Sequence, residues 1–126
     1  MPELPEVETV KRGLEILINK KITKVFRSDK KLRISSSLNL EILQGNKISA
    51  IHRRARYLII DFSNKTSLIL HLGMSGKVVI KNHFEKLKHD HFALNFSDGS
   101  WLIFNDARRF GFVDLIKTSK IKTHKM

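Results

Sequence analysis

The sequence begins Met1-Pro2-Glu3-Leu4-Pro5-Glu6, and its second and third residues could together do chemistry at an electrophilic carbon. Proline in second place permits removal of Met1 in the cell, which leaves a secondary amine at the new terminus. An α-amino group titrates near 7.7–8.0, against about 10.4 for lysine, so about a tenth of it is the neutral nucleophile at pH 7. A secondary amine attacking an aldehydic carbon gives a cationic imine, an electron sink for the bonds around it. Glu3 would stand beside it, able to protonate a leaving group or a sugar oxygen. The plainer reading is that Pro-Glu only initiates a helix, and on these residues alone that reading leads.

Four more clusters invite a chemical reading. In HLGMSG (His71–Gly76) the glycines free the backbone of a hairpin turn and leave Met74 at its tip. In NDARRFG (Asn105–Gly111), Arg108, Arg109 and Phe110 follow directly on a strand. Methionine, arginine and phenylalanine at loop tips are the side chains that wedge into a base stack. Singly, each has a bland reading: Met74 as surface, Phe110 as core, the arginine pair as solvated charge. HRRARY (His52–Tyr57) and KHDH (Lys88–His91) are further basic clusters. His89 and His91 would share a side of an extended segment, which raises a metal pair. Without cysteine or a third well-spaced ligand, phosphate contacts suit them better, and no metal site is expected.

The elements that must position these residues follow from patterning. Val7, Val10, Leu14, Leu17 and Ile18 recur at helical spacing, which predicts a helix from Pro5 to about Ile18 with Pro5, Glu6 and Glu8 in its first turn. Short apolar segments then follow at Ile22–Arg27, Ile48–His52, Tyr57–Phe62, Ser67–Leu72, Lys77–Ile80, Phe92–Phe96, Trp101–Phe104 and Phe112–Ile116, separated by turn-forming stretches. Leu38–Leu43 suits a second short helix. The expected fold is α+β and mainly β: an antiparallel β-sandwich carrying an N-terminal helix. Residues 1–116 would form that domain. Lys117 to Met126, basic and poor in apolar residues, reads as a tail or the start of a linker.

Composition narrows the partners. Lysine and arginine number 24 against 12 acidic residues, a formal charge of +12, and a polyanion is the natural partner, nucleic acid ahead of a membrane surface. The alternative is that abundant lysine reflects genomic composition. With 41% hydrophobic residues in a chain of 126, one folded domain is expected rather than disorder. Cysteine is absent, which excludes disulfides and thiolate chemistry and fits a reducing, cytoplasmic compartment. The start lacks the form of a signal peptide, and no apolar run approaches the roughly 20 residues that span a bilayer.

Taken together, MPELPEVETV, RRARYLI, HLGMSG, KHDH and DARRFG resemble, in order and spacing, the formamidopyrimidine-DNA glycosylases, bacterial enzymes that excise oxidised purines such as 8-oxoguanine. The resemblance runs through essentially the whole chain. It implies a β-sandwich flanked by helices and a bifunctional glycosylase and lyase acting on double-stranded DNA in base-excision repair. Pro2 would attack C1′ of the damaged nucleotide and form a Schiff base, with Glu3 as the assisting acid. Met74, Arg108 and Phe110 would fill the space left by the extruded nucleotide, and His71 and His89 would hold phosphates. Two positions depart from the family. Arg56 stands where the family has a phosphate-binding lysine proposed to donate a proton in elimination, and Ala107 replaces a proline. The family's helix–two-turns–helix and zinc-finger portions lie outside these residues. No cofactor is therefore expected here, zinc entering only with a C-terminal half supplied separately. A catalytically impaired DNA-binding remnant of such an enzyme is the alternative, and a ribosomal or RNA-binding β protein is a more distant one.

Overall fold

A computed structural model describes residues 4–27, 33–34, 39–72, 76–85, 90–106 and 112–123. Helix α1 spans Leu4–Leu14. Its Val7 and Leu14 are buried, while Glu8 reaches Lys11 and Arg12 along the outward side, the i,i+3 and i,i+4 pairing that supports a helix. The last turn, Glu15–Leu17, tightens to 3₁₀ instead of continuing to Ile18 as α-helix. The reason lies next door. Ile18 is recruited into a β-bridge with Ile48, and Asn19 takes a left-handed φ of 71° so that its N–H reaches the Ile48 carbonyl at 2.7 Å.

Among the described residues nine strands follow: β1 Ile22–Arg27, β2 Arg33–Ile34, β3 Ile48–Arg54, β4 Tyr57–Phe62, β5 Thr66–His71, β6 Gly76–Lys81, β7 Asp90–Phe96, β8 Trp101–Asp106 and β9 Phe112–Lys117. All eight expected strands are present, each within two residues of its expected ends. β2 was not expected, because two residues cannot display an alternation. The chain forms two sheets, ordered β1-β7-β8-β6 and β2-β9-β5-β4-β3. Pairing among these strands is antiparallel except where β2 lies parallel to β9. Alternate residues of each sheet meet between them: Leu58, Ile60, Leu68, Leu70 and Leu115 from one, Phe92, Leu94, Phe96, Leu102 and Phe104 from the other, all at most 1% exposed. Burying each such side chain contributes about 1.5–3 kcal/mol, which makes this sandwich a rigid base for the loops at its ends.

Two segments differ from expectation. Leu40–Leu43 is a 3₁₀ turn, not an α-helix, started by the Asn39 side chain accepting the Glu41 N–H. Thr118–Thr123 is also 3₁₀, where an open basic tail was expected. It is tied to the sheet: the Thr118 N–H donates to the Lys65 carbonyl at 2.9 Å, and its hydroxyl lies 2.8 Å from that of Ser67.

Candidate nucleic-acid interface

Register alone shows where the candidate residues gather. Tyr57, the first residue of β4, pairs with His71, the last of β5, and His71 pairs with Phe112, the first of β9. In the other sheet Gly76, the first residue of β6, pairs with Asp106, the last of β8, and Asp90 of β7 pairs with Asn105. β1 reaches the same level with Arg27 opposite Phe92. Since β5 leads into β6 and β8 into β9, these ends form one rim shared by both sheets. Helix α1 points there too. Ile18 bridges Ile48 at the start of β3, whereas Glu8 binds Arg53 near its end, so the helix runs away from the rim and Leu4 stands one turn beyond Glu8 on the rim side.

Pro2, Glu3, Met74, His89, Arg108 and Phe110 lie outside the described residues, as does the His89–His91 pair of side chains. Arg56 and His71 are described, and the structure brings them together. Arg56 sits exposed in the β3–β4 turn. Ala55 before it adopts φ 54°, a left-handed conformation that costs an L-residue roughly 1–2 kcal/mol. Arg53 donates from Nε to Glu8 at 3.0 Å and from a terminal nitrogen to the Ala55 carbonyl at 3.1 Å, bracing that turn against the helix. The same hydrogen bond, ahead of the charges of Lys11 and Arg53, holds the Glu8 carboxyl below its ordinary range. Among the described residues neither Arg54 nor Arg56 has a carboxylate partner.

His71 is half-buried with its ring 4.9 Å from that of Tyr57. Burial, and then the positive charge of Arg56, lower its pKa below 6.5. At neutral pH it is therefore an uncharged imidazole beside a guanidinium. One ring nitrogen can donate to an anion, and an arriving anion would draw a proton onto the ring. Gly76 is fixed by a close approach: its N–H donates to the Leu72 carbonyl at 2.8 Å, and a Cβ there would stand 2.1 Å from that oxygen. The second glycine of HLGMSG is thus a packing requirement of the turn.

Sequence reasoning missed the Glu8–Arg53 brace and the left-handed Ala55. Alanine carries no signature of that conformation, and a pairing 45 residues apart has no local signal. A cavity of about 780 Å³ lies at the opposite end, lined by Ile42, Asp61, Phe62, Asn64, Thr66 and Thr118 among others. It is remote from the residues discussed here, and an interface with a duplex needs projecting loops more than a cavity. Among the described residues no three His, Asp or Glu side chains could hold a metal ion, and no helix is long and apolar enough to cross a membrane.

The chain's likenesses agree with this geometry. Residues 1–113 match the model of the formamidopyrimidine-DNA glycosylase N-terminal domain. The chain is 51% identical over 117 residues to the formamidopyrimidine-DNA glycosylase of Rickettsia bellii, covering 90% of this chain and 42% of the relative. With that of Rickettsia africae it shares 47% identity over 126 residues, covering 97% of this chain and 46% of the relative. Among solved structures it resembles the Lactococcus lactis protein in complex with DNA containing an abasic site, at 35% identity and a TM-score of 0.86 over 97% of this chain and 46% of that one. A complex of the same protein with DNA containing FAPY-dG is equally similar. The chain thus spans a little under half the length of these relatives.

Proposed function

Because the chain belongs to the formamidopyrimidine-DNA glycosylase family through its N-terminal domain, we propose that it is the chemical half of a bifunctional glycosylase and abasic-site lyase acting on oxidised purines in DNA. The observation that carries this reading is the shared rim. It collects the turn of Arg56, the end of β5 at His71, the flanks of the segments bearing Met74, His89, Arg108 and Phe110, and the N-terminal end of α1. Pro2 and Glu3 directly precede Leu4, so two residues of chain tether them to that end, a reach of about 7 Å.

In the proposed reaction Met1 is removed and the Pro2 nitrogen attacks C1′ of a nucleotide taken out of the stack. The C1′–N bond breaks, the base leaves with a proton, and the opened sugar is held as an iminium with Glu3 as the proton donor. The iminium acidifies the C2′ protons. Loss of one expels the 3′ phosphate, and a second elimination expels the 5′ phosphate. Arg56 and His71 hold backbone phosphates, Arg56 through a charged planar fork and His71 through one ring N–H. Met74 and Phe110 wedge the stack while Arg108 faces the orphaned base. The second wall of the DNA cleft, and any zinc, belongs to the portion of the relatives beyond the region matched here, supplied in the same chain or separately.

A second reading is DNA binding without turnover, and Arg56 favours it. A guanidinium stays protonated throughout the working range, so it holds phosphate well but transfers no proton during elimination. Borohydride reduction in the presence of duplexes containing 8-oxoguanine or an abasic site separates the two. The glycosylase–lyase reading expects a covalent adduct that maps to residue 2 by mass spectrometry. Failure to trap either duplex, with Met1 shown to be removed, leaves DNA binding alone.

A further inference from the structure

β6 is an edge strand of its sheet, opposite the β1 edge, and it runs away from the rim starting at Gly76. Its Val78 and Ile80 pack against the core, so alternation turns Lys77, Val79 and Lys81 outward. Lys77 and Lys81 are exposed, and among the described residues neither has an ion-pair partner. With His83 they border a groove of about 440 Å³ floored by Ile103 and Asn105, in which Glu85 is the one carboxylate among the described lining. Because β6 is at an edge, no further strand among the described residues brings side chains between these cations and solvent.

The spacing suits a nucleic-acid backbone. Four residues of strand separate Lys77 from Lys81 by about 13 Å, far enough for each to meet a different phosphate of a duplex whose strands each carry a charge about every 3.4 Å of axis. Among the described residues, the outer face of the other sheet offers nothing comparable. Beyond the rim its outward positions on β4, β5 and β9 are Ile59, Asp61, Ser67, Ile69, Asp114 and Ile116, mostly buried and none of them cationic, and on β3 the exposed His52 is paired with Asp61 at 2.7 Å. Among the described residues, a polyanion leaving the rim thus meets unpaired cations on the β6 side of the sandwich. We infer that duplex DNA flanking the lesion runs along β6, Lys77 and Lys81 each contacting a backbone phosphate and extending the binding surface beyond the rim. This track rests on the proposed role of the rim.

The test is the salt dependence of binding by the full chain to a duplex carrying an abasic-site analogue, with long arms on both sides. Removing one lysine–phosphate interaction lowers the magnitude of the slope of log K against log salt by about 0.9. Lys77→Ala/Lys81→Ala is expected to reduce it by about 1.8 and to weaken binding about 30-fold at physiological salt. Lys77→Arg/Lys81→Arg should restore the wild-type slope, and Lys47→Ala/Lys117→Ala at the far end should leave it unchanged. On a duplex too short to reach β6, the wild type and the Lys77/Lys81 alanine variant should converge. A wild-type slope in that variant, with normal binding otherwise, contradicts the track while leaving the rim reading intact. Equal effects from both alanine pairs also contradict it, because they reveal a diffuse charge effect. Failure of the wild-type chain to bind lesion duplex overturns the rim reading and the track together.

Discussion

The two ends of the sandwich solve opposite problems with similar residues. At the end away from the rim, polar side chains are spent on one another. Lys20 binds Asp98 at 2.6 Å, and that bond, with donation from the Ser100 hydroxyl and N–H, holds the Asp98 carboxyl far below its ordinary range. The Ser63 hydroxyl accepts the Lys47 N–H and donates to the Asn46 side chain, Asn64 accepts both the N–H and the hydroxyl of Thr66, and the Ser97 backbone N–H donates to the Lys21 carbonyl. At the rim, Arg54 and Arg56 face solvent, Ala55 is held in a left-handed turn, and His71 is kept neutral by its surroundings. One end ties its polar side chains together; the other sets exposed guanidinium charge beside a neutral imidazole, ready for an anion that arrives from outside.

The largest difference should appear when the same substitution is made at each end. Gly76→Ala forces a Cβ against the Leu72 carbonyl, which cannot yield without moving the turn, and should cost about 1–3 kcal/mol. Gly45→Ala meets open space but a φ of +89°, and should cost about 1–2 kcal/mol. Thermal melts will show both variants destabilised. Binding to abasic-site duplex should fall only in the first, and an equal fall in both would erase the distinction between the ends.

Arg56→Ala should have a smaller effect. Without its hold on one phosphate, the salt slope becomes shallower by about 0.9 and binding weakens about fivefold at physiological salt. The substitution should also raise the His71 pKa, read by NMR titration of the ring protons without DNA, though burial keeps it below 6.5. An unmoved His71 pKa would mean the two side chains are not coupled.

The smallest effect concerns pH. The folded-state pKa of His71 is lowered, so between that value and 6.5 the unfolded chain binds more protons than the folded one. Stability is therefore full above about pH 6.5 and declines as pH falls through that window. His71→Gln should flatten this part of the profile of melting temperature against pH, with no matching change from a far-end variant such as Asp98→Asn, whose influence is confined to acid below the ordinary carboxylate range.

Much of the fold was legible because the physics that builds it is local. Short, nearly continuous apolar runs such as Tyr57–Phe62 and Trp101–Phe104, bounded by Ser63-Asn64 and Asp98-Gly99, identify strands and turns from neighbours alone. What was not legible was non-local or silent. β2 is two residues long and exists because β9 offers it an edge. The 3₁₀ turn at Thr118 depends on Lys65 and Ser67, far away in sequence. The candidate site was legible as a set of motifs, yet nothing in their wording said that both sheets end there. That followed only from register, which also exposed the lysines of β6 as a continuation of the rim.

The central claim is that lesion DNA meets the rim and leaves the opposite end untouched. The direct measurement is the change in backbone amide NMR shifts of the full chain on adding a duplex with an abasic-site analogue. The account predicts the largest shifts at Arg54–Tyr57, His71, Gly76 and Lys77, with Lys20, Asn46, Ser63 and Asp98 unmoved. Largest shifts at the Lys20–Asp98 end, or shifts spread evenly over both ends, would contradict it.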